Sequence, residues 1–298
     1  MNRRAFLAGA LTVGFASRMT VAVAATPVAT PSGYAHAEWL ADPAWLAAHL
    51  GEESLAVIAL APPDEFEQGH IPGAVQVDWP DLALTESARI DDWRDQMEML
   101  VTKLGIERSD TVVIYDGGTI YAPRLWWILY QLGHADIRIL NGGLPAWTSF
   151  GGELETGATT PIAAPEPYVG QPDDAAIATV DQVVAALDDP DTVLVDARTP
   201  DEYAVGHIPG AVLFPFTDVV VDKQPPLWKP AEELRAAFAA LDVTPDKRVI
   251  PYCSTGVRSA ALYFTLRLIG YEEVALFSGS YAEWTADPTR PVEQGAGS

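Results

Sequence analysis

Gly69-His70-Ile71-Pro72-Gly73-Ala74-Val75 recurs letter for letter as Gly206-His207-Ile208-Pro209-Gly210-Ala211-Val212. The offset from His70 to His207, 137 positions, also pairs Tyr115 with Tyr252, Leu129 with Leu266, Gly133 with Gly270, Gly142 with Gly279 and Trp147 with Trp284. Separate landmarks in one register, with no net insertion between them, describe a duplicated domain. A single pair of copies this long is two domains, not a short-period solenoid. Each copy alternates short β-rich runs with amphipathic helical stretches, which predicts an α/β domain with a parallel sheet flanked by helices. Strands are expected at 54–60, 111–115 and 137–140, and in the second copy at 192–195, 249–252 and 274–277. Helices are expected at 125–132, 180–187, 231–241 and 259–269, with Gly133 and Gly270 as C′ stops. The boundary falls where Gly, Pro, Thr and Ala dominate, giving domains at 34–152 and 179–298 joined by a linker at 153–178. That linker is long for a loop and is expected to pack across one domain or the groove between them. A second irregular stretch, Thr217 to Pro230, carries Trp228, read as a core or hinge residue in preference to a roof over a site.

Residues common to both copies are what the fold needs, and residues in one copy alone are candidates for function. The register puts Asp116 where the second copy has Cys253, Tyr121 where it has Arg258, and Ala59 and Ala61 where it has Asp196 and Arg198. The first copy thus lacks the chain's one thiol and both arginines together. This points to chemistry in the second copy and scaffolding in the first. Cys253 lies in Arg248-Val249-Ile250-Pro251-Tyr252-Cys253-Ser254-Thr255-Gly256-Val257-Arg258-Ser259, where a predicted strand hands over to a predicted helix. A thiol there faces the orphan N–H groups and the positive end of the helix, which favours the reactive thiolate. An inert buried thiol is the alternative fate of a lone cysteine. The joint loss of thiol and arginines from the other copy argues against it. His207 would tempt as a base, but its twin His70 lies in the copy without a thiol, so both read as structural. Asp196 reads as structural too, orienting backbone or Arg198, while Arg198 has Asp201 and Glu202 as alternative partners.

The chain has 298 residues, 49% hydrophobic and 20% charged, enough for two soluble domains with real cores. A formal net charge of −23 argues against nucleic acid as a partner, since phosphate binding needs basic surface. It suits a soluble monomer. An anionic substrate would be repelled at long range, so its site must supply local positive potential, and Arg198 and Arg258 are the available suppliers. One cysteine allows no intramolecular disulfide, and the five histidines show no ligand-like spacing, so no metal or other cofactor is expected. At the amino terminus Arg3-Arg4 precede Phe6-Leu7, an apolar run and Ala22-Val23-Ala24, which resembles a twin-arginine export signal over residues 1–25 with a tether at 26–33. Arg18 interrupts the apolar run, against stable membrane insertion, so an exported, periplasmic or extracellular protein is expected.

Taken together these residues resemble the two-domain rhodaneses, the thiosulfate and 3-mercaptopyruvate sulfurtransferases. The resemblance runs from about Glu38 to Val292 and rests on specific marks: Gly-His-Ile-Pro-Gly-Ala in both halves, Trp126-Trp127, Gly133-His134 and Asn141-Gly142-Gly143-Leu144-Pro145-Ala146-Trp147, then Val195-Asp196-Ala197-Arg198 and the cysteine loop. It implies an inert first domain and a second domain whose Cys253 takes a sulfane sulfur as a persulfide and passes it to cyanide or a thiol. It also implies that Ser254, Thr255, Gly256 and Val257 wrap the sulfur with backbone N–H groups, while Arg258 and Arg198 bind the small anionic donor. The loop Cys-Ser-Thr-Gly-Val-Arg departs from both common donor patterns of the family. Arg258 favours a compact dianion, so thiosulfate is expected ahead of 3-mercaptopyruvate. A sulfur carrier or binding protein without turnover of its own is the alternative from another class. A cysteine phosphatase would need five residues between Cys and Arg, whereas four separate Cys253 from Arg258.

Overall fold

A computed structural model describes residues 33–82 and 90–295. The expected export signal and all of the tether but Gly33 lie outside the described residues. The first repeat runs β1 (Leu40–Ala41), α1 (Pro43–His49), β2 (Leu55–Leu60), α2 (Pro63–Gln68), β3 (Val75–Val77), α3 (Ile90–Lys103), β4 (Thr111–Asp116), α4 (Ala122–Gln131), β5 (Asp136–Leu140) and α5 (Gly143–Phe150). Its strands form a parallel sheet in the order β1-β5-β4-β2-β3. The second repeat runs α6 (Val180–Ala186), β6 (Thr192–Asp196), α7 (Pro200–Val205), β7 (Val212–Leu213), α8 (Ala231–Ala239), β8 (Arg248–Tyr252), α9 (Val257–Leu268) and α10 (Ser280–Ala286). Its parallel sheet has the order β7-β6-β8.

The expected strand at 274–277 is not a continuous strand. Val274 bridges Val249 and Leu276 bridges Ile177, both parallel, at the places of β5 and β1 in the first repeat. Pro251 in β8 explains the gap, because it has no N–H to give to the ladder. Its counterpart Ile114 pairs normally with Ile139. Both helices that follow the central strands start before their expected residues, α4 at Ala122 and α9 at Val257. Pro123 in the first turn of α4 costs nothing, since that N–H would be unpaired anyway.

The duplicated heptad is a structural clasp. His70 stacks on Phe66 and its Nδ1 hydrogen-bonds the Phe66 carbonyl, while the Ile71 N–H donates to the Tyr115 hydroxyl. His207 does the same with Tyr203, and Ile208 with Tyr252. Gly73 and Gly210 take φ of +75° and +73°, and each donates its N–H to a glutamate, Glu155 or Glu293. The linker runs as a strap over the first domain, from the Glu155 pairing with His70 through Ala164 and Tyr168 on Thr102 to Gln171 on Leu132.

The repeats meet through equivalent helices. Phe264 of α9 packs edge-on against Trp126 of α4, and Tyr263 likewise meets Trp127 and Tyr130. One continuous apolar core therefore runs through both repeats. Each repeat also receives a donor from the other at matching positions. Asn141 accepts the Trp228 N–H through Oδ1, and Ser278 accepts Arg124 through Oγ. Trp228, buried and bonded to Thr265, is a core residue.

Candidate active site

The polypeptide leaves β8 at its carboxyl end and enters α9 through Cys253–Gly256. Gly256 sits at φ +86°, and a Cβ there would lie 2.4 Å from the Ser278 carbonyl oxygen, so only glycine can make the turn. The Cys253 N–H is held by Ser280 Oγ at 3.1 Å, and that hydroxyl donates to the Phe277 carbonyl at 2.8 Å. Ser280 itself occupies the left-handed region at φ +56°, where its first-repeat equivalent is Gly143.

At the floor of the loop the Cys253 thiol accepts the Gly256 N–H at 3.1 Å. Burial alone would push this thiol up. Hydrogen bonding from Ser259 and from the Thr255 and Ser259 amides, with the charge of Arg258, outweighs burial and holds it below its ordinary value. The shift is toward the thiolate, at a helix start that offers it N–H groups.

The first repeat shows what the same loop does with another anion. Asp116 stands at the thiol's place, and its carboxylate accepts four backbone N–H groups. Gly118 and Thr119 donate to Oδ1 at 2.7 and 3.1 Å, Tyr121 and Ala122 to Oδ2 at 2.7 and 2.8 Å. In the shared register these are the positions of Thr255, Gly256, Arg258 and Ser259. The first loop is also closed from outside, because Pro226 and Trp228 of the second repeat pack over it.

The remaining expected site residues divide. Arg258 stands at the mouth, but both its terminal nitrogens donate to Glu202, each at 2.7 Å, and one also reaches Ser254 Oγ at 2.7 Å. Hydrogen bonding to Arg258 holds Glu202 far below the usual carboxylate range. The pair is thus charged on both sides and nearly neutral as a unit. Ser254 belongs to this cluster through its hydroxyl, which also donates to Glu202 at 3.1 Å. Thr255 is the exposed lip of the loop, and Val257 is the first residue of α9 with its side chain buried. The mouth is shared by both repeats, since Phe216 lies between Arg258, 5.9 Å away, and Tyr121 of the first domain, 6.2 Å away.

Arg198 requires a correction. It is not an anion-binding group of the mouth. Its guanidinium is buried, bonded to Asp196 at 2.6 Å and to the Gly206 carbonyl at 2.7 Å, and stacked 4.1 Å from the Tyr281 ring. Nor does it pair with Asp201 or Glu202; the partner is Asp196, as the structural reading of that aspartate expects. Two arginines unique to one copy looked alike in sequence, and only packing separates the internal tie from the rim residue.

The roles of three residues around the thiol escape the sequence reading. Glu202 has a counterpart, Glu65, and so passes for scaffold. Ser280 stands where the first copy has Gly143, and Arg124 where the second copy has Ala261. Each is a one-copy residue, and that asymmetry is the signal the chain carries for both.

A family model described as "Rhodanese-like domain" matches residues 42–150 and again 179–287. Among curated relatives, "Thiosulfate sulfurtransferase" of Pseudomonas aeruginosa is 34% identical over 85% of this chain and 96% of its own length. "Thiosulfate sulfurtransferase" of Corynebacterium glutamicum is 32% identical over 88% and 92%. "Sulfur carrier protein TtuD" of Thermus thermophilus is 32% identical over 88% and 99%. Among solved structures, wild-type EanB superposes with a TM-score of 0.80 at 24% identity, covering 88% of this chain and 70% of that one, a likeness of fold.

Proposed function

This chain belongs to the rhodanese family, with two rhodanese-like domains in tandem, and from that premise we propose that it is a thiosulfate sulfurtransferase working through a persulfide on Cys253. The Cys253 thiolate attacks the outer sulfur of thiosulfate, a new S–S bond forms, and the donor's own S–S bond breaks with its electron pair leaving on sulfite. The persulfide then gives its terminal sulfur to cyanide, forming thiocyanate, or to a thiolate, and the Cys253 thiolate returns.

The observation that carries this reading is Asp116. Each carboxylate oxygen lies two bonds from Cβ, as would the terminal sulfur of a persulfide at position 253. The first-repeat loop already holds a two-bond anion with four amides. The second-repeat loop takes a different backbone path, with positive φ at Gly256 where the first loop has it at Gly118 and Ile120, yet it turns amides of matching positions, Thr255, Gly256 and Ser259, toward the thiol. Those amides are donors for the charge of a persulfide, the preorganised arrangement that stabilises a developing anion. Mutual neutralisation of Arg258 and Glu202 moves the burden of anion recognition from a free cation to the loop amides.

Intact mass after thiosulfate treatment tests the reading. The expected result is a gain of one sulfur atom, removed by cyanide and absent in Cys253→Ala. A protein that never gains sulfur overturns the transferase. The similarity to a sulfur carrier protein supports a second reading, in which Cys253 loads but thiocyanate forms only when a partner protein is added.

A further inference from the structure

We infer that Arg124, a residue of the first domain, is a positioning residue for sulfur transfer on the second, its buried guanidinium serving as counter-charge to the Cys253 thiolate and persulfide. This rests on Cys253 being the sulfur-bearing residue and adds the reason why a domain without a nucleophile takes part in the chemistry.

Arg124 is completely buried near the start of α4. Its Nε and Nη2 donate to the Leu82 carbonyl at 3.1 and 2.9 Å. Nη1 crosses the domain boundary to Ser278 Oγ at 3.1 Å and, longer, to the Gly256 carbonyl at 3.5 Å. The guanidinium carbon lies 5.4 and 4.9 Å from the Trp93 and Trp127 rings. None of these partners is a carboxylate, so among the described residues this is a buried cation balanced only by carbonyls, a hydroxyl and ring faces. Such a charge is costly to bury without an opposing one.

The opposing charge is in the loop above it. Gly256 offers its carbonyl to Arg124 and its N–H to the Cys253 sulfur, so one residue joins cation and thiolate. Burial lowers the guanidinium to about 10, and the negative charge on Cys253 partly restores it. The interaction is mutual, so the same charge favours the thiolate. The other charged groups facing Cys253, among the described residues, are Arg258 of α9 and the Glu202 of α7 bound to it. Arg258 acts on the thiol while paired with Glu202, whereas Arg124 has no carboxylate partner among the described residues. The equivalent of Arg124 in the second repeat is Ala261.

Two variants of the full chain decide it, each read by the pH dependence of Cys253 alkylation with iodoacetamide and by the rate of sulfur loading from thiosulfate. In Arg124→Met the alkylation midpoint should rise by about one pH unit, and loading at neutral pH should fall about tenfold and recover at alkaline pH. Arg124→Lys keeps the charge and should keep the midpoint, with loading within a few-fold of wild type. An unchanged midpoint in Arg124→Met overturns the inference, as does a Lys variant that loses loading at an unchanged midpoint. If the Met variant does not fold, the Lys variant alone decides by the same criterion. Failure of the parent protein to load sulfur would instead reject Cys253 as carrier, whatever Arg124 does.

Discussion

At residue scale, Cys253 and Asp116 are two anions held by one loop design. Asp116 ends its central strand and Cys253 directly follows its own, and both face amides at matching positions, yet only one is a thiol. Cys253→Asp should therefore fold with a stability within about 1 kcal/mol of the parent, because an aspartate at this place has a native precedent and each amide bond it gains contributes of that order. Urea denaturation measures it, and a loss several-fold larger would mean the two loops are not equivalent as anion holders. The variant should take up no sulfur. Glu202 belongs to the same scale. Its carboxyl is held down by Arg258, so its contribution to stability is present above the unfolded carboxylate value and lost only as pH falls through the lower folded one. Across the range in which the thiolate exists, the mouth pair stays ionised on both sides.

At the scale of elements, the latch between the end of β8 and the start of α10 sets the thiol's position. Ser280 adopts a left-handed conformation that costs a non-glycine residue roughly 1–2 kcal/mol, and its hydroxyl holds the Cys253 N–H and the Phe277 carbonyl. The two terms can be separated. Ser280→Ala keeps the strain and loses both bonds, and should destabilise by about 1–3 kcal/mol. Ser280→Gly loses the bonds and relieves the strain, so its thermal midpoint should lie near wild type. Both should load sulfur more slowly, since each frees the loop entry. Equal melting temperatures for the two variants would show that no strain is stored there. The heptad clasp works at this scale as well. In each repeat it ties a short helix, a strand-tip tyrosine and a glutamate of a following extended segment, which explains its preservation in a repeat without a thiol.

For the whole molecule, the two domains form one unit around α4 and α9. Helix α9 is buried on nearly every side, with Tyr263, Phe264 and Leu266 covered. Burying an aromatic of that size is worth about 1.5–3 kcal/mol, so a separated second domain exposes a face it cannot solvate and loses Arg124. Residues 172–298 expressed alone should self-associate and load sulfur poorly. Adding residues 33–171 should restore a one-to-one complex by analytical ultracentrifugation and recover loading. A separated second domain that is monomeric and fully active would show the first domain to be dispensable.

The duplication, the α/β class, the strand and helix positions within a few residues, and the lone thiol at a strand-to-helix junction were legible in the chain. Each is written in local pattern: period, glycine stops, and a thiol present in one copy alone. The broken strand at 274–277 was legible only in hindsight, because Pro251 removes a hydrogen bond from its neighbour, not from itself. Roles that depend on which charges meet across the fold were not legible. Arg198 and Arg258 are both unique to one repeat, yet the first is bound to Asp196 in the interior and the second to Glu202 at the rim. Arg124 is 129 positions from Cys253 and in the other domain. Sequence by itself determined the tandem rhodanese-like fold and set a single thiol in one of the two matching loops, since periodicity, glycine stops and a thiol are local facts. Only the tertiary structure decided which charges lie near that thiol, because a charge acts through distance and burial, and both are set by how the two repeats pack.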